Sequence, residues 1–339
     1  MSRSATKILD LLRHNAGEYV SGEQISQLMD VSRTAVWKHI QGLRREGYII
    51  ESNPRQGYRL AAAPDLLLPR EVSNGLKTDY IGRIIHHFMT IGSTNQEAKR
   101  FAAEDEPEGA IVVAEQQTAG RGRLSRQWFS PKTGGIWFSV ILRPEVQPAE
   151  AAKFTFLGAV AVANAIRAVT GLAVEIKWPN DIHYQGRKLV GILTELHAEW
   201  DAINYIVMGI GINVNIATDV FPEEIREIAT SLQRETGHTV SRQQLLRHIL
   251  AQLETLYNNV KTAGFASVFT AWRHMNCTLG REVCVSSVHQ RLVGVAVDID
   301  DDGALIIRKQ DGSRERVVAG DVSLRGTEET ASWKNVEEG

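Results

Sequence analysis

Residues 21–60 read SGEQISQLMD VSRTAVWKHI QGLRREGYII ESNPRQGYRL, and this stretch decides the architecture of the first part of the chain. Ser21 stands where it caps a helix whose apolar face is Ile25, Leu28 and Met29. Asp30-Val31-Ser32 reads as a tight turn, and Ser32 caps a second helix carrying Ala35, Val36, Ile40 and Leu43 until Gly47 stops it. Residues 48–51 and 58–60 then read as two strands of a hairpin closed by residues 53–57. Upstream, Ile8, Leu11 and Leu12 recur at helical spacing. Helix, helix, turn, helix, hairpin is the order of a winged helix-turn-helix.

Charge supports a role for this head. Residues 1–60 hold nine Lys+Arg against six Asp+Glu, a local +3 (9 − 6), in a chain whose net charge is -2. Such an asymmetry suits contact with a phosphate backbone. The expected DNA face comprises Gly22, Ser32, Arg33, Thr34, Trp37, Lys38, Arg44 and Arg55. A protein-interaction domain of the same fold carries a similar pattern, and that alternative stays open.

Working outward, 339 residues exceed one ordinary domain, and 43% hydrophobic with 23% charged residues is the profile of a chain with real cores. The expected division is a winged head at 1–63, an α/β domain at 64–272, a small β-barrel at 273–326 and a loose tail at 327–339. The second part alternates strand-like segments (110–114, 136–142, 174–178, 189–196, 205–210) with helical ones, most clearly 154–169. After Cys277 short alternating strands follow at 282–285, 293–299, 304–307 and 315–318, with aspartate–glycine turns between them. Cys277 and Cys284 match no zinc spacing and read as packing residues of a reducing compartment. The N-terminus lacks the apolar core of a signal peptide, and no apolar stretch approaches the roughly 20 residues of a membrane span, so a cytoplasmic protein without membrane contact is expected.

Chemistry concentrates in three segments. Gln117-Thr118-Ala119-Gly120-Arg121-Gly122-Arg123 joins backbone freedom to two cations at i and i+2. These repel one another until an anion lies between them, which predicts a loop without fixed structure that orders over a phosphate. The segment from Ile176 to Asp181, IKWPND, ends a strand in charged, aromatic and amide groups. Lys188 begins the apolar run KLVGIL, where a cation aimed into a pocket balances a carboxylate, although an ordinary edge-strand lysine fits too. Ser93-Thr94-Asn95 alone reads as a helix cap. The run GIGINVN from Gly209 lacks the third glycine and the following helix of a dinucleotide fingerprint, and no GxxxxGK[ST] loop exists.

Taken in order, the head SGEQ…SRTAVWKHIQGLRREG with STNQEA, QQTAGRGR, WFSP, KWPND, GRKLVGIL, GIGINVN and GDVSLR resembles the bacterial biotin–protein ligases that also repress biotin synthesis. The resemblance covers nearly the whole chain. It implies an α+β protein: a winged helix-turn-helix, a mixed α/β domain of the biotin/lipoate ligase type, and an SH3-like barrel. It implies biotin contacts at Ser93, Thr94, Asn95, Gln117, Gly120, Arg121, Gly122, Arg123, Lys188 and Gly191. ATP contacts are implied at Arg121, Arg123, Trp128, Lys177, Asn180, Asp181 and Asn213, with Asp181 also a Mg²⁺ ligand. Lys188, Arg121 and Arg123 would be the catalytic groups. The implied reaction makes biotinyl-5′-adenylate and passes biotin to a lysine of the biotin carboxyl carrier protein. The implied partners are that carrier, operator DNA and a second copy of the chain once the adenylate is bound. A biotin-sensing transcription factor without catalysis and a lipoate-type ligase are the competing readings. Two departures stand out: Leu124-Ser125-Arg126 where the family's loop is richer in arginine and glycine, and Trp37 where a small polar residue is expected.

Overall fold

The computed structural model describes residues 3–199, 202–286, 291–318 and 320–324. The expected tail at 327–339 lies outside them. The chain forms two compact units, divided between Leu66 and Leu67.

The first unit is a winged helix-turn-helix: α1 (Arg3–His14), α2 (Gly22–Met29), α3 (Arg33–Arg45), β1 (Ile49–Asn53) and β2 (Gly57–Ala62). Its capping follows the sequence, since the Ser21 and Ser32 hydroxyls accept from Gln24 N and Ala35 N. Ile8, Leu9, Leu12, Ile25, Val36, Ile40 and Leu43 close a core belonging to this unit alone. On α3, Arg33, Thr34, Trp37 and Lys38 are exposed, Trp37 by 52%. Arg44 is placed differently from expectation. Its guanidinium donates to the Ile50 carbonyl (2.6 and 3.0 Å) and to Ser52 Oγ (3.3 Å), bracing the wing against α3. Gly22 opens α2 and faces the Tyr58 ring, while Arg55 is exposed in the hairpin turn.

The second unit continues with α4 (Pro69–Ser73), β3 (Ile85–Phe88), α5 (Thr94–Ala103), β4 (Ile111–Ala114), β5 (Gly135–Leu142), α6 (Lys153–Thr170), β6 (Glu175–Lys177), β7 (Asp181–Tyr184), β8 (Arg187–Glu199) and β9 (Ala202–Asn213). Helices α7 (Glu223–Arg226), α8 (Leu232–Thr236), α9 (Arg242–Ala263) and α10 (Ala266–Met275) follow. The seven strands pair in the order β3-β4-β5-β9-β8-β7-β6, antiparallel except for β3 with β4.

Because side chains alternate across a pleated sheet, parity assigns the faces. Even-numbered Ile136, Phe138, Val140, Met208, Ile210 and Ile212 bury in the main core with α6 and α9. Odd-numbered Ile141, Tyr205 and Val207 meet Ala98 and Ala102 of α5 on the opposite face. The stretch Pro148–Thr170 is, against expectation, long and apolar enough to cross a bilayer by composition. It is instead the central core helix, with residues from Phe154 to Ile166 buried among the sheet and α9.

The last strands, β10 (Glu282–Ser286), β11 (Arg291–Ile299), β12 (Leu305–Arg308), β13 (Arg314–Val317) and β14 (Asp321–Leu324), form a five-stranded antiparallel SH3-like sheet. It does not stand apart. Val283, Val285, Ala296, Leu305 and Ile307 join the ligase-type core. Trp178, inside the IKWPND segment, donates its indole N–H to the Gly303 carbonyl at 3.0 Å. Cys277 and Cys284 are buried free thiols, as expected. Burial, then the charge of Glu175, pushes the Cys277 thiol up to about 11.

Candidate active site

The odd-numbered face of the sheet is walled by side chains near α5 and bare further along. Across it run two rows fixed by register: Ser139–Gly209–Leu193, and Trp137–Gly211–Gly191. The glycines leave room for what lies over them. A Cβ at Gly191 would come within 2.8 Å of the Trp128 ring, one at Gly211 would overlap the Trp128 indole, and one at Gly209 would overlap Asn95 Oδ1. The GIGINVN run is therefore a flat floor, a packing role that its glycine spacing alone does not announce.

Over this floor opens a cleft of about 810 Å³ lined by Ser93, Thr94, Asn95, Gln117, Arg121, Gly122, Arg123, Trp128, Asn180, Asp181, Lys188 and Gly191, among others. Of the expected residues, Gly120, Lys177 and Asn213 do not line it. Gly120 packs against Trp128 and Ser130, so its smallness serves the loop's own fit. Lys177 stands at the end of β6, paired in register with Asp181. Asn213 lines an adjoining hollow of about 640 Å³ with Trp128, Phe129, Lys188, Phe221, Ile225 and Ile228. Trp128 and Lys188 border both spaces, so they form the wall between them.

One end of the cleft is a hydrogen-bonding wall. Thr94 donates to Gln117 Oε1 from its N–H (2.8 Å) and its hydroxyl (3.1 Å), and Gln117 Nε2 donates to Ser130 Oγ at 2.9 Å. Ser93 sits at the cap position of α5, yet its side chain makes no capping hydrogen bond. Ser93 therefore holds the N-cap position without capping through its side chain, and the residue lines the cleft.

The other end is cationic. Lys188 Nζ lies 2.7 Å from Asp181 Oδ2 and 5.3 Å from the Trp128 ring centre. Arg123 Nη1 donates to Asn180 Oδ1 at 3.1 Å, and Asn180 Nδ2 donates to the Ile192 carbonyl at 2.8 Å. Burial works against ionisation of Asp181, but His183 (4.0 Å) and Lys188 outweigh it and hold the carboxyl below its ordinary range. Asp181 Oδ1 and Trp128 Nε1 are buried with no hydrogen-bond partner among the described residues. Such orphans carry a standing cost, and a ligand relieves it.

The glycine–arginine loop differs from its sequence expectation. It has a defined turn, with Gly122 N donating to Arg126 O (2.7 Å), Trp128 N to Gly120 O (2.9 Å), and Leu124 and Ser125 at φ 54° and 59°. Internal backbone bonds and the Arg123–Asn180 contact hold this turn. Sequence reasoning missed Ser139, Glu195 and Gly320, which lie at or beside the cleft.

Fold and site together define a class, and the comparisons bear on it. Residues 88–213 match the Biotin/lipoate A/B protein ligase family, residues 5–59 an HTH domain, and residues 278–325 the Biotin protein ligase C terminal domain. The biotin protein ligase of Aquifex aeolicus, solved in complex with biotin and ATP, superposes with a TM-score of 0.62 at 29% identity, over 72% of this chain and 99% of that one. The Bifunctional ligase/repressor BirA of Bacillus spizizenii is 41% identical over 94% of this chain and 97% of its own length. The Escherichia coli protein of that name is 32% identical over 95% of this chain and 97% of its own. The chain belongs to the bifunctional ligase/repressor family of biotin protein ligases.

Proposed function

We propose that the chain joins biotin to ATP as biotinyl-5′-adenylate, transfers the biotinyl group to a lysine of a biotin carboxyl carrier protein, and represses biotin-synthesis genes through its head. The observation that carries the catalytic reading is the convergence of Lys188, Arg121 and Arg123 on one cleft between a polar wall and an aromatic hollow.

The polar wall takes the ureido ring, with Ser93, Thr94, Asn95 and Gln117 supplying the partners. The biotin carboxylate then points toward Lys188, and the nucleotide base enters the hollow beyond Trp128, near Asn213. Attack of the carboxylate on the α-phosphate brings two anions together, and pyrophosphate leaves. Lys188, Arg121 and Arg123 offset that repulsion and stabilise the more crowded charge of the transition state. Lys188 exchanges Asp181 for the substrates as they arrive. Asp181 Oδ1 fits a magnesium ion, because Mg²⁺ is commonly held by one or two carboxylates plus phosphate oxygens. When bound, the ion would supply further neutralisation between the phosphates. Arg121, Gly122 and Arg123 cover the mixed anhydride against water. The acceptor amine then attacks the activated carbonyl and AMP leaves.

On the head, Arg33, Thr34, Trp37 and Lys38 present the face that enters the operator's major groove. Coupling of the two activities needs a bound adenylate to favour the dimer that spans two half-sites. Equal self-association with and without adenylate would remove that link. The same reading places the protein in the cytoplasm with its acceptor and operator. Incubation with biotin, Mg·ATP and a carrier domain tests the ligase directly. The carrier is expected to gain one biotinyl group by mass, with pyrophosphate released; the absence of both would end the proposal.

A further inference from the structure

The amide of Asn95 is useful to a ligand only if its orientation is fixed, because its two ends offer opposite hydrogen-bonding character. Every direction but one is taken. Nδ2 donates to the Leu193 carbonyl at 3.2 Å and to Glu195 Oε2 at 2.8 Å. Oδ1 accepts from the Ser139 hydroxyl at 2.6 Å and lies over Gly209, where no side chain fits. One lone pair of Oδ1 is left for the cleft.

Two of these contacts discriminate between the two orientations, the Leu193 carbonyl and the Glu195 carboxylate, and the charged, closer carboxylate does so more strongly. Ser139 can donate or accept, whereas an ionised carboxylate accepts only, so it holds Nδ2 and repels Oδ1. Glu195 is kept ionised. Burial pulls the other way, but Lys99 Nζ, 2.7 Å from Oε1, and the Asn95 amide hold the carboxyl below its ordinary range. Position 195 belongs to the odd-numbered face of β8, the face on which Asn95 lies over Gly209, so its carboxylate reaches Nδ2.

We infer that Glu195, anchored by Lys99, is a positioning residue that locks the Asn95 amide with its oxygen toward the cleft, and thereby selects a ring that brings an N–H donor to it. This rests on the reading of Asn95 as a contact of the ureido ring. An isosteric amide at 195 can accept or donate, so the Asn95 group turns over in part of the population and offers hydrogens to a ring that also offers hydrogens.

The test uses the full chain and steady-state kinetics of Glu195→Gln, Glu195→Asp, Asn95→Ala and the Asn95→Ala/Glu195→Gln double variant. Glu195→Gln is expected to raise the biotin KM about tenfold, the scale of one misdirected hydrogen bond, with ATP KM and kcat within about twofold. Glu195→Asp recovers part of the loss. In the Asn95→Ala background the Glu195 change adds nothing, because there is no amide left to orient. An unchanged biotin KM in Glu195→Gln, or an equal increase in both backgrounds, overturns the inference while leaving Asn95 as a contact. An unchanged biotin KM in Asn95→Ala overturns the underlying reading instead. Should Glu195→Gln fail to fold, Lys99→Met removes the anchor of the same carboxylate and is judged by the same criteria.

Discussion

Lys188 stands in two relationships at once, paired with Asp181 at 2.7 Å and seated against the Trp128 ring. On the proposed reading, removing it takes the nearest ammonium from the reacting anions and the Lys188 counter-charge from Asp181. Lys188→Ala is expected to lower adenylation by on the order of 10²-fold, read as pyrophosphate release, and near-normal release would show the role misassigned. Gly211 offers a steric counterpart: Gly211→Ala puts a methyl where the Trp128 indole lies, so Trp128 must leave the wall between cleft and hollow. A fall of about tenfold or more in kcat/KM is expected, and full activity would mean that the indole moves harmlessly. At this scale the sequence exposes Lys188, Arg121 and Arg123, since cations beside glycines or at the head of an apolar run are locally conspicuous. It hides Ser139 and Glu195. Each is one polar residue in a strand, and only the register that sets 139, 209 and 193 in a row gives it a partner.

Between elements, the pairing that holds α9 to the sheet is ionic and wholly buried. Arg242 Nη1, at the start of α9, donates to Glu115 Oε2 (2.9 Å) and to the Gly135 carbonyl (2.8 Å). Leu67 N–H donates to Glu115 Oε1 at 2.7 Å, and His87 Nε2 lies 3.1 Å from the same oxygen. Breaking such a pair from one side strands the other charge, so Glu115→Gln is expected to cost roughly 3–5 kcal/mol in denaturant unfolding. A loss below about 1 kcal/mol would contradict this. Burial alone would raise the Glu115 carboxyl, but His87, Arg242 and the Leu67 N–H outweigh it and hold it low. A carboxylate depressed in the folded state contributes stability that is complete above its unfolded value near 4.3 and is lost as pH falls through the folded one. Unfolding free energy should therefore drop below about pH 4, and less steeply in Glu115→Gln. Elements were legible where period and caps agree, as for α2 and α3. The strand order was not, because β9 reaches its place between β5 and β8 through pairings that leave no mark on neighbouring residues.

Across the whole molecule, two units have separate cores, and the head's apolar residues belong to it alone. A fragment beginning at Leu67 should keep biotin transfer to a carrier domain within about threefold while losing operator binding, checked by mass and by gel shift. A collapse of transfer would show that the head supports the chemistry; such independence is the default for domains joined by short linkers.

The opposite end is not separable. With Val283, Leu305 and Ile307 sharing the catalytic core and Gly303 accepting the Trp178 indole hydrogen, the final sheet is welded in, whereas the head keeps a core of its own. Anyone trimming this chain to a minimal biotinylating tool has one safe place to cut, after Leu66. Shortening from the carboxyl side would strip insulation from the very tryptophan that stands two residues before Asn180 in the cleft lining. Grafting a foreign DNA reader at the front is, by the same logic, the easier engineering.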